Sequence, residues 1–131
     1  MSELKRILIA DDSRTARQFI IRCLQIAGLR EGVEFLEAAN GQEALAMLKD
    51  SNIDLIITDL TMPTMDGREL LRRVRAHPRF SFLPVAVVSS ATNDAVAIEL
   101  KEMGAFMIIA KPITPPAAMQ LITAFAQQPN L

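Results

Sequence analysis

Residues 53–67 have the sequence IDLIITDLTMPTMDG. The stretch begins as an apolar run of strand length that ends at the carboxylate of Asp59. A loop containing Pro63 and the Asp66-Gly67 pair follows, and a helical pattern begins after it. Open α/β sheets bind ligands at the carboxyl ends of their strands, so Asp59 is a candidate binding residue.

Four other apolar segments have similar lengths and similar polar or turn-forming boundaries. Each is too short for a helix and rich in aliphatic residues, which is typical of a strand buried on both faces of a sheet. We predict strands at residues 6–10, 34–39, 53–59, 83–88 and 106–110.

Apolar residues at helical spacing separate these strands, with the fourth helix predicted at residues 93–103. Asn40 and Asp66 each precede a Glu by three positions, and Thr114 precedes a proline, which are signals of helix starts. Ser13 or Asp12 is expected to cap the first helix. Strands that alternate with helices predict an α/β fold, a doubly wound five-stranded parallel sheet covered on both faces.

The chain has 131 residues, and we expect a single domain over residues 1–131. Its core is predicted at about residues 5–127, with a frayed tail at 128–131. No repeat, low-complexity segment or linker divides the chain. We therefore expect no output, DNA-binding or membrane domain.

The composition excludes several classes of protein. Fourteen basic and 15 acidic residues give a net charge of −1, which argues against a generic nucleic-acid or membrane-surface protein. No apolar run approaches the roughly 20 residues that span a bilayer, and no signal-peptide pattern is present, so we expect a cytoplasmic location. The single cysteine, Cys23, is predicted to be a small core residue in a reducing compartment.

Polar side chains stand at the ends of four predicted strands. In a parallel sheet these ends share one edge, which is the usual ligand site of the fold class. The residues concerned are Asp11, Asp12, Asp59, Ser89, Ser90 and Lys111.

The carboxylates at this edge require compensation. Two carboxylates about 5 Å apart repel by roughly 3 kcal/mol at an effective dielectric near 20, so the cluster needs a bound cation, a proton on one carboxylate, or both. Oxygen ligands without His or Cys suit Mg²⁺ or Mn²⁺. The only histidine, His77, precedes Pro78 at a helix end and is predicted to be a surface residue.

A cation at this edge, with a lysine and a serine opposite, could accept a phosphoryl group. The cation and Lys111 would neutralise the phosphoryl oxygens, and Ser89 would donate a hydrogen bond to one of them. Asp59 is then either a metal ligand only or a nucleophile that becomes an aspartyl phosphate.

These residues and their spacing resemble the receiver domain of two-component response regulators, over essentially the whole chain. The matching segments are Asp11-Asp12-Ser13, the stretch from Asp59 to Gly67, Ser89, and Lys111-Pro112. Asp59 precedes Ser89 by 30 residues and Lys111 by 52, intervals that suit the family. The family implies a flavodoxin-like, CheY-like (βα)5 fold with strand order 2-1-3-4-5.

The resemblance also implies roles for residues at the site. Asp59 would be the phosphoacceptor, which attacks the phosphorus of a phosphohistidine on a histidine kinase or phosphotransfer protein. Ser89 would be the switch hydroxyl. Lys111 would pair with the phosphoryl group, and its bond to Pro112 is expected to be cis.

For Mg²⁺, or Mn²⁺ in its place, the family implies a set of ligands. Asp12 and Asp59 would bind the ion through their carboxylates, and Asp11 would bind it directly or through water. The backbone carbonyl of Thr61 would be a further ligand. The family also implies that the positions of Thr61 and Ala91 influence how fast water removes the phosphoryl group.

Two positions depart from the family pattern. Ile108 stands where the family usually carries Tyr or Phe, whose ring turns inward in the switch. Phe106, which strand alternation places on the same side, is a candidate substitute. Ser90 occupies a position usually filled by Ala or Gly and is still small enough to admit a phosphodonor.

Two surface features have alternative interpretations. The third predicted helix and the loop after it carry five arginines, which we predict to form a solvated cationic face rather than a partner or nucleic-acid patch. They are Arg68, Arg72, Arg73, Arg75 and Arg79. The helix at 93–103 is apolar on most sides, so the face formed by residues 93–125 is either ordinary core or a docking surface for a downstream protein or a homodimer.

The preferred interpretation is a stand-alone phosphoacceptor of a two-component or phosphorelay system, a regulatory protein rather than an enzyme. A receiver-like adaptor that works without phosphorylation is the first alternative, and the complete set of site residues argues against it. An aspartate-nucleophile phosphatase is the second. Such enzymes usually need another acid two residues after the nucleophile, where this chain has Thr61.

Overall fold

The computed structural model describes residues 3–90 and 93–128, along which strands and helices alternate. The strands are β1 (Arg6–Ala10), β2 (Glu34–Ala38), β3 (Leu55–Asp59), β4 (Val85–Ser89) and β5 (Met107–Ala110). The helices are α1 (Arg14–Ile26), α2 (Gly41–Asp50), α3 (Gly67–Ala76), α4 (Asp94–Glu102) and α5 (Pro115–Ala126). Within the described residues, the predicted alternation of strands and helices is confirmed.

All the strands run parallel, in the order β2-β1-β3-β4-β5, which confirms the doubly wound fold. Ala10 of β1 pairs with Thr58 of β3, and Ser89 of β4 pairs with Ala110 of β5. The strands therefore end at nearly the same level. Residues at or just after their carboxyl ends are brought to one edge of the sheet.

The sheet separates two apolar layers. On one face the strands pack under α2, α3 and α4, where Leu71 and Leu100 are fully buried. On the other face α1 and α5 cover the strands through Leu24 and Leu121. Cys23 is buried in this second layer as predicted, and burial raises the pKa of its thiol. Loss of water from both faces of the strands stabilises the fold by roughly 25 cal/mol per Å² of apolar surface buried.

The helices begin at side-chain caps that satisfy amides of the first turn. Ser13, rather than Asp12, caps α1. Its Oγ accepts the backbone N–H of Ala16 at 3.2 Å. The predicted caps Asn40, Asp66 and Thr114 are confirmed, because each side chain accepts from the amide three residues later.

Strand boundaries differ from the prediction by one or two residues. β2 ends one residue early, where the N–H of Ala39 donates to the Glu43 carboxylate at 2.9 Å. β3 begins at Leu55, directly after Asp54. The Asp54 carboxylate accepts the backbone N–H groups of Lys5 and Arg6, at the start of β1. β4 begins after Pro84, which has no N–H to donate to a neighbouring strand.

The start of β5 at Met107 overturns one prediction. Phe106 and Ile108 do not share a side: Phe106 packs against the α1–α5 layer and Ile108 against the α2–α4 layer. Phe106 precedes the strand, so the alternation of side chains within a strand does not extend to it. Phe106 is therefore not placed to substitute for a ring at position 108.

Among the described residues, no helix is both long and apolar enough to cross a bilayer. Two sequence-based predictions fall outside the described residues. These are the influence of Ala91 on phosphoryl lifetime and the frayed tail from residue 129 onward.

Candidate functional site

Strand ends bring opposite charges together at the carboxyl edge of the sheet. Asp11 follows β1, Asp59 ends β3 and Lys111 follows β5. The Lys111 Nζ lies 2.9 Å from Asp11 Oδ2 and 3.1 Å from Asp59 Oδ2. Both carboxylates are buried, whereas a quarter of the Lys111 side chain is exposed. Residues that lie 100 and 52 positions apart thus form one charged centre.

Asp12 forms an acidic cluster with Asp11 and Asp59. One carboxylate oxygen from each residue lies within 4.8 Å of the others. Asp12 is exposed, so the cluster is open to solvent on its side. Three carboxylates with a single paired lysine leave net negative charge at the cluster. Oxygen donors at an open acidic site fit a hard divalent cation such as Mg²⁺ or Mn²⁺.

The Asp59 carboxylate is oriented from two directions. Its Oδ1 accepts the N–H of Leu60 at 2.8 Å, and its Oδ2 accepts from Lys111. One oxygen is therefore held by the backbone and the other by a side chain. The side-chain partner is the one that can move when another anion arrives.

The loop between β3 and α3 folds back against the strand end. Gly67 donates its N–H to the Leu60 carbonyl at 2.9 Å, and a Cβ at Gly67 would lie 2.1 Å from the Asp59 carbonyl oxygen. A glycine is required for this approach. Thr64 lies at the centre of a three-residue turn with a φ of 68°, a region that β-branched residues rarely adopt.

The ammonium of Lys111 is stabilised in its charged form. Burial lowers its pKa, but hydrogen bonds and charges from Asp11 and Asp59 outweigh burial, so the pKa of Lys111 is raised. Its backbone N–H donates to the Ser89 carbonyl at 3.0 Å, which joins the ends of β4 and β5. Its bond to Pro112 is cis, as the family resemblance implies.

Three hydroxyl residues that the sequence places at the site differ in exposure. Ser89 is buried at the end of β4, whereas Ser90 and Thr61 are exposed. A groove of about 550 Å³ lies beside Lys111, and its lining includes Ser90 and Phe19. Lys111 is partly open to solvent on the side of this groove.

The arginines of α3 do not form one solvated face. Arg72 and Arg73 pair with Glu69 at the surface. Arg75 instead turns inward and donates to two backbone carbonyls, that of Gly104 at 2.8 Å and that of Leu83 at 2.7 Å. The prediction is wrong for Arg75, because the packing of α3 places two backbone carbonyls within its reach. Burial lowers the pKa of its guanidinium.

His77 is not part of the acidic cluster. It caps the carboxyl end of α3, and its Nδ1 accepts the N–H of Arg79 at 3.1 Å. Its ring packs on Phe80 with 4.6 Å between centroids. These contacts give His77 a structural role between α3 and the loop that follows it.

Arg17 and Glu37 support the site and were not predicted from the sequence. Arg17 donates to the Asp11 carbonyl at 2.7 Å and to Glu37 Oε1 at 2.9 Å. Arg17 lies in the first turns of α1, directly after the acidic pair. No local pattern indicates that its side chain reaches a neighbouring strand.

A doubly wound sheet with this charged edge is the architecture of response regulator receivers. The family profile described as response regulator receiver domain matches residues 7–123, and the chain belongs to this family. Among its relatives, chemotaxis protein CheY of Pseudomonas aeruginosa is 35% identical over 125 residues. That alignment covers 95% of this chain and 98% of the relative.

Solved structures show the same fold. Chemotaxis response regulator CheY4 of Vibrio cholerae has a TM-score of 0.80 at 32% identity, with 94% of this chain and 99% of that chain covered. The phosphorylated cyanobacterial phytochrome response regulator RcpA has a TM-score of 0.77 at 25% identity, with 95% and 93% covered. CheY-like receivers are regulatory domains rather than enzymes, and they interact with histidine kinases or phosphotransfer proteins and with downstream targets.

Proposed function

We propose that this chain is a phosphoacceptor of a two-component or phosphorelay system, with Asp59 as the accepting residue. The observation that carries the proposal is the position of the Lys111 ammonium between the carboxylates of Asp11 and Asp59. An ammonium at this point can pair with the oxygens of a phosphoryl group on Asp59. The phosphorylated state of the related RcpA supports the proposal.

In the proposed reaction, a carboxylate oxygen of Asp59 attacks the phosphorus of a phosphohistidine. A P–O bond to Asp59 forms, the P–N bond breaks, and the imidazole nitrogen leaves with the bonding electrons. Lys111 pairs with the transferred oxygens, and the Ser89 hydroxyl donates a hydrogen bond to one of them. The donor histidine belongs to a sensor kinase or a phosphotransfer protein in the cytoplasm.

The proposed site for Mg²⁺ or Mn²⁺ consists of the carboxylates of Asp11, Asp12 and Asp59 and the backbone carbonyl of Thr61. The ion would offset the negative charge of the carboxylates and of the incoming phosphoryl group. The hard oxygen donors and the exposure of Asp12 support this assignment.

Phosphorylation places roughly two negative charges at Asp59, and we propose that it shifts the conformational populations of the face formed by residues 93–125. Ile98 and Met119 on this face are 58% and 47% exposed, which suits contact with a downstream protein or a second copy. Ile108 is aliphatic and packs in the α2–α4 layer, so the proposed switch uses no rotating ring at that position.

The proposal is tested by incubation with acetyl phosphate and Mg²⁺, followed by intact mass measurement. We expect one phosphoryl adduct in the wild type and none in Asp59→Asn. Asp54→Asn is the matched control, because Asp54 directly precedes the first residue of β3. This variant should retain the adduct. No adduct in the wild type would favour the adaptor, and rapid turnover of unrelated phosphoesters would favour an aspartate-nucleophile phosphatase.

A further inference from the structure

We propose that Arg17 is a positioning residue for the divalent cation because it holds the peptide unit between Asp11 and Asp12. Glu37 neutralises the charge of Arg17. The inference rests on the proposed function, since it concerns the same cation site. Arg17 acts through the geometry of the two aspartates rather than by contact with the ion.

Every polar group of Asp11 has a partner. Its N–H donates to the Ala38 carbonyl at 3.0 Å, its Oδ1 accepts from the N–H of Ser13 at 2.9 Å, and its Oδ2 accepts from Lys111. The remaining group is the carbonyl, which accepts from Arg17 Nη1 at 2.7 Å. Backbone groups or the site lysine supply the first three contacts. The carbonyl depends on a side chain from outside the proposed ligand set.

That carbonyl belongs to the planar peptide that joins Asp11 to Asp12. Rotation about the Asp11 Cα–C bond would turn this plane and move the Asp12 Cα and its carboxylate relative to the Asp11 carboxylate. Asp12 lies between the end of β1 and the start of α1 and is exposed, so no strand pairing or burial restrains it. The Arg17 hydrogen bond therefore fixes one proposed ligand relative to the other.

Glu37 makes this arrangement compatible with a cation site. An uncompensated guanidinium beside the acidic cluster would repel a divalent ion. Glu37 Oε1 accepts from Arg17 Nε at 2.9 Å, and its Oε2 accepts from Gln18 Nε2 at 3.0 Å. The Arg17 side chain is 14% exposed and that of Glu37 is 32% exposed, so the guanidinium is shielded from solvent more than the carboxylate is. The pair thus supplies a hydrogen bond to the site without net charge.

Two variants in the test keep the net charge of the Arg17–Glu37 pair at zero. Arg17→Lys keeps the positive charge but replaces the planar guanidinium, which donates to a carbonyl and a carboxylate at once, with a single ammonium. The double variant Arg17→Met with Glu37→Gln keeps a neutral pair and an unbranched side chain but removes the donor. Arg22→Met, at an exposed position of α1, controls for the loss of an arginine.

Cation affinity is measured directly, by electron paramagnetic resonance titration of free Mn²⁺, because the chain has no Trp or Tyr for a fluorescence assay. We expect the Mn²⁺ Kd to rise roughly tenfold in the double variant, about threefold in Arg17→Lys, and less than about twofold in Arg22→Met. With acetyl phosphate, the Mg²⁺ concentration for half-maximal phosphorylation should rise in both pair variants. The phosphorylation rate at saturating Mg²⁺ should be retained. General destabilisation of the fold would not raise the Mg²⁺ requirement and leave this rate unchanged.

A readout without metal completes the test. Hydrogen exchange of the Ser13 amide, which bonds Asp11 Oδ1, should accelerate in the pair variants and not in Arg22→Met. Glu37→Gln alone leaves Arg17 uncompensated and should weaken Mn²⁺ binding about threefold through charge.

Two results would overturn the proposal. One is equal Mn²⁺ affinity in the wild type and a folded Arg17→Lys variant, and the other is unchanged affinity in Glu37→Gln. Failure of the proposed function gives a different result, because the wild type itself would then form no phosphoryl adduct and bind no Mn²⁺. The exchange difference at the Ser13 amide would persist in that case.

Discussion

Strand β3 has an aspartate near each end, and the two carboxylates are held in different ways. Asp54, just before the strand, accepts two backbone amides at the start of β1 through its Oδ2, at 2.8 and 2.9 Å. Asp59, at the carboxyl end, accepts one backbone amide and shares the Lys111 ammonium with Asp11. Asp54 and Asp59 are thus the same residue type at opposite ends of one strand, but their hydrogen-bond partners differ.

The difference separates a structural carboxylate, Asp54, from the proposed phosphoacceptor, Asp59. Backbone amides at the start of a strand cannot change partners without disrupting the local fold, so the Oδ2 of Asp54 is committed to the structure. A lysine side chain can move to a new anion while the backbone stays in place. Asp59 thus has one exchangeable partner, which is what its proposed role as phosphoacceptor requires.

The largest stability change is expected from Gly67→Ala, at the start of α3, where the glycine packs against the carboxyl end of β3. A Cβ there would lie 2.1 Å from the Asp59 carbonyl oxygen and would push the loop away from the strand. We expect a loss of about 3 kcal/mol in the free energy of unfolding, measured by urea denaturation. Gly32→Ala is the control: its φ is +91° but no atom lies within 4 Å, so only about 1 kcal/mol should be lost. Equal losses would contradict tight packing at this end.

Asp54→Ala tests the structural carboxylate. It leaves two amides at the start of β1 without their acceptor, and we expect a loss of about 2 kcal/mol in the same measurement. Phosphorylation by acetyl phosphate should be retained. A variant of unchanged stability that accepts no phosphoryl group would reverse the assigned roles of the two ends.

Asp59→Asn is expected to stabilise the protein, in contrast to the two preceding variants, when no divalent cation is present. It removes repulsion from Asp11 and Asp12 and only one attraction, since Lys111 keeps its bond to Asp11. We expect a gain of about 1 kcal/mol in the free energy of unfolding at low salt. A loss instead would show that the bond from Lys111 outweighs repulsion within the cluster.

A smaller gain is expected from Thr64→Asn, in the loop that follows Asp59. Thr64 has a φ of 68°, which asparagine tolerates better than a β-branched residue. We expect a gain of about 0.5 kcal/mol in urea denaturation. The same change at exposed Thr61, which has no positive φ, should give no gain. Similar gains at both positions would exclude relief of strain as the cause.

The smallest effect is expected in the alkaline pH dependence of stability. The pKa of Lys111 is raised in the folded protein, so its contribution is fully present below its ordinary value of 10.5 and is lost as the pH rises through the folded value. The wild type should lose more thermal stability than Lys111→Met between about pH 10 and pH 12. Parallel profiles would show that the ammonium contributes no net stability.

Much of the fold follows from patterns within a few residues. Helix caps such as Asn40 and Thr114 were predictable because a cap bonds an amide only three positions away. The meeting of Asp11, Asp59 and Lys111 was also predictable, because parallel strands place their carboxyl ends at one edge. Strand ends were less predictable, since Pro84 and Glu43 alter the pairing of single amides.

The sequence by itself determined the alternation of elements and the residues that stand at each strand end, because both depend on short-range periodicity. The tertiary structure alone decided that Arg17 reaches the Asp11 carbonyl, that Arg75 turns inward, and that Phe106 and Ile108 face opposite layers. These contacts join elements whose separation and orientation are set by packing across the whole domain. No local pattern of residues specifies such distances, so they become visible only when the layers are assembled.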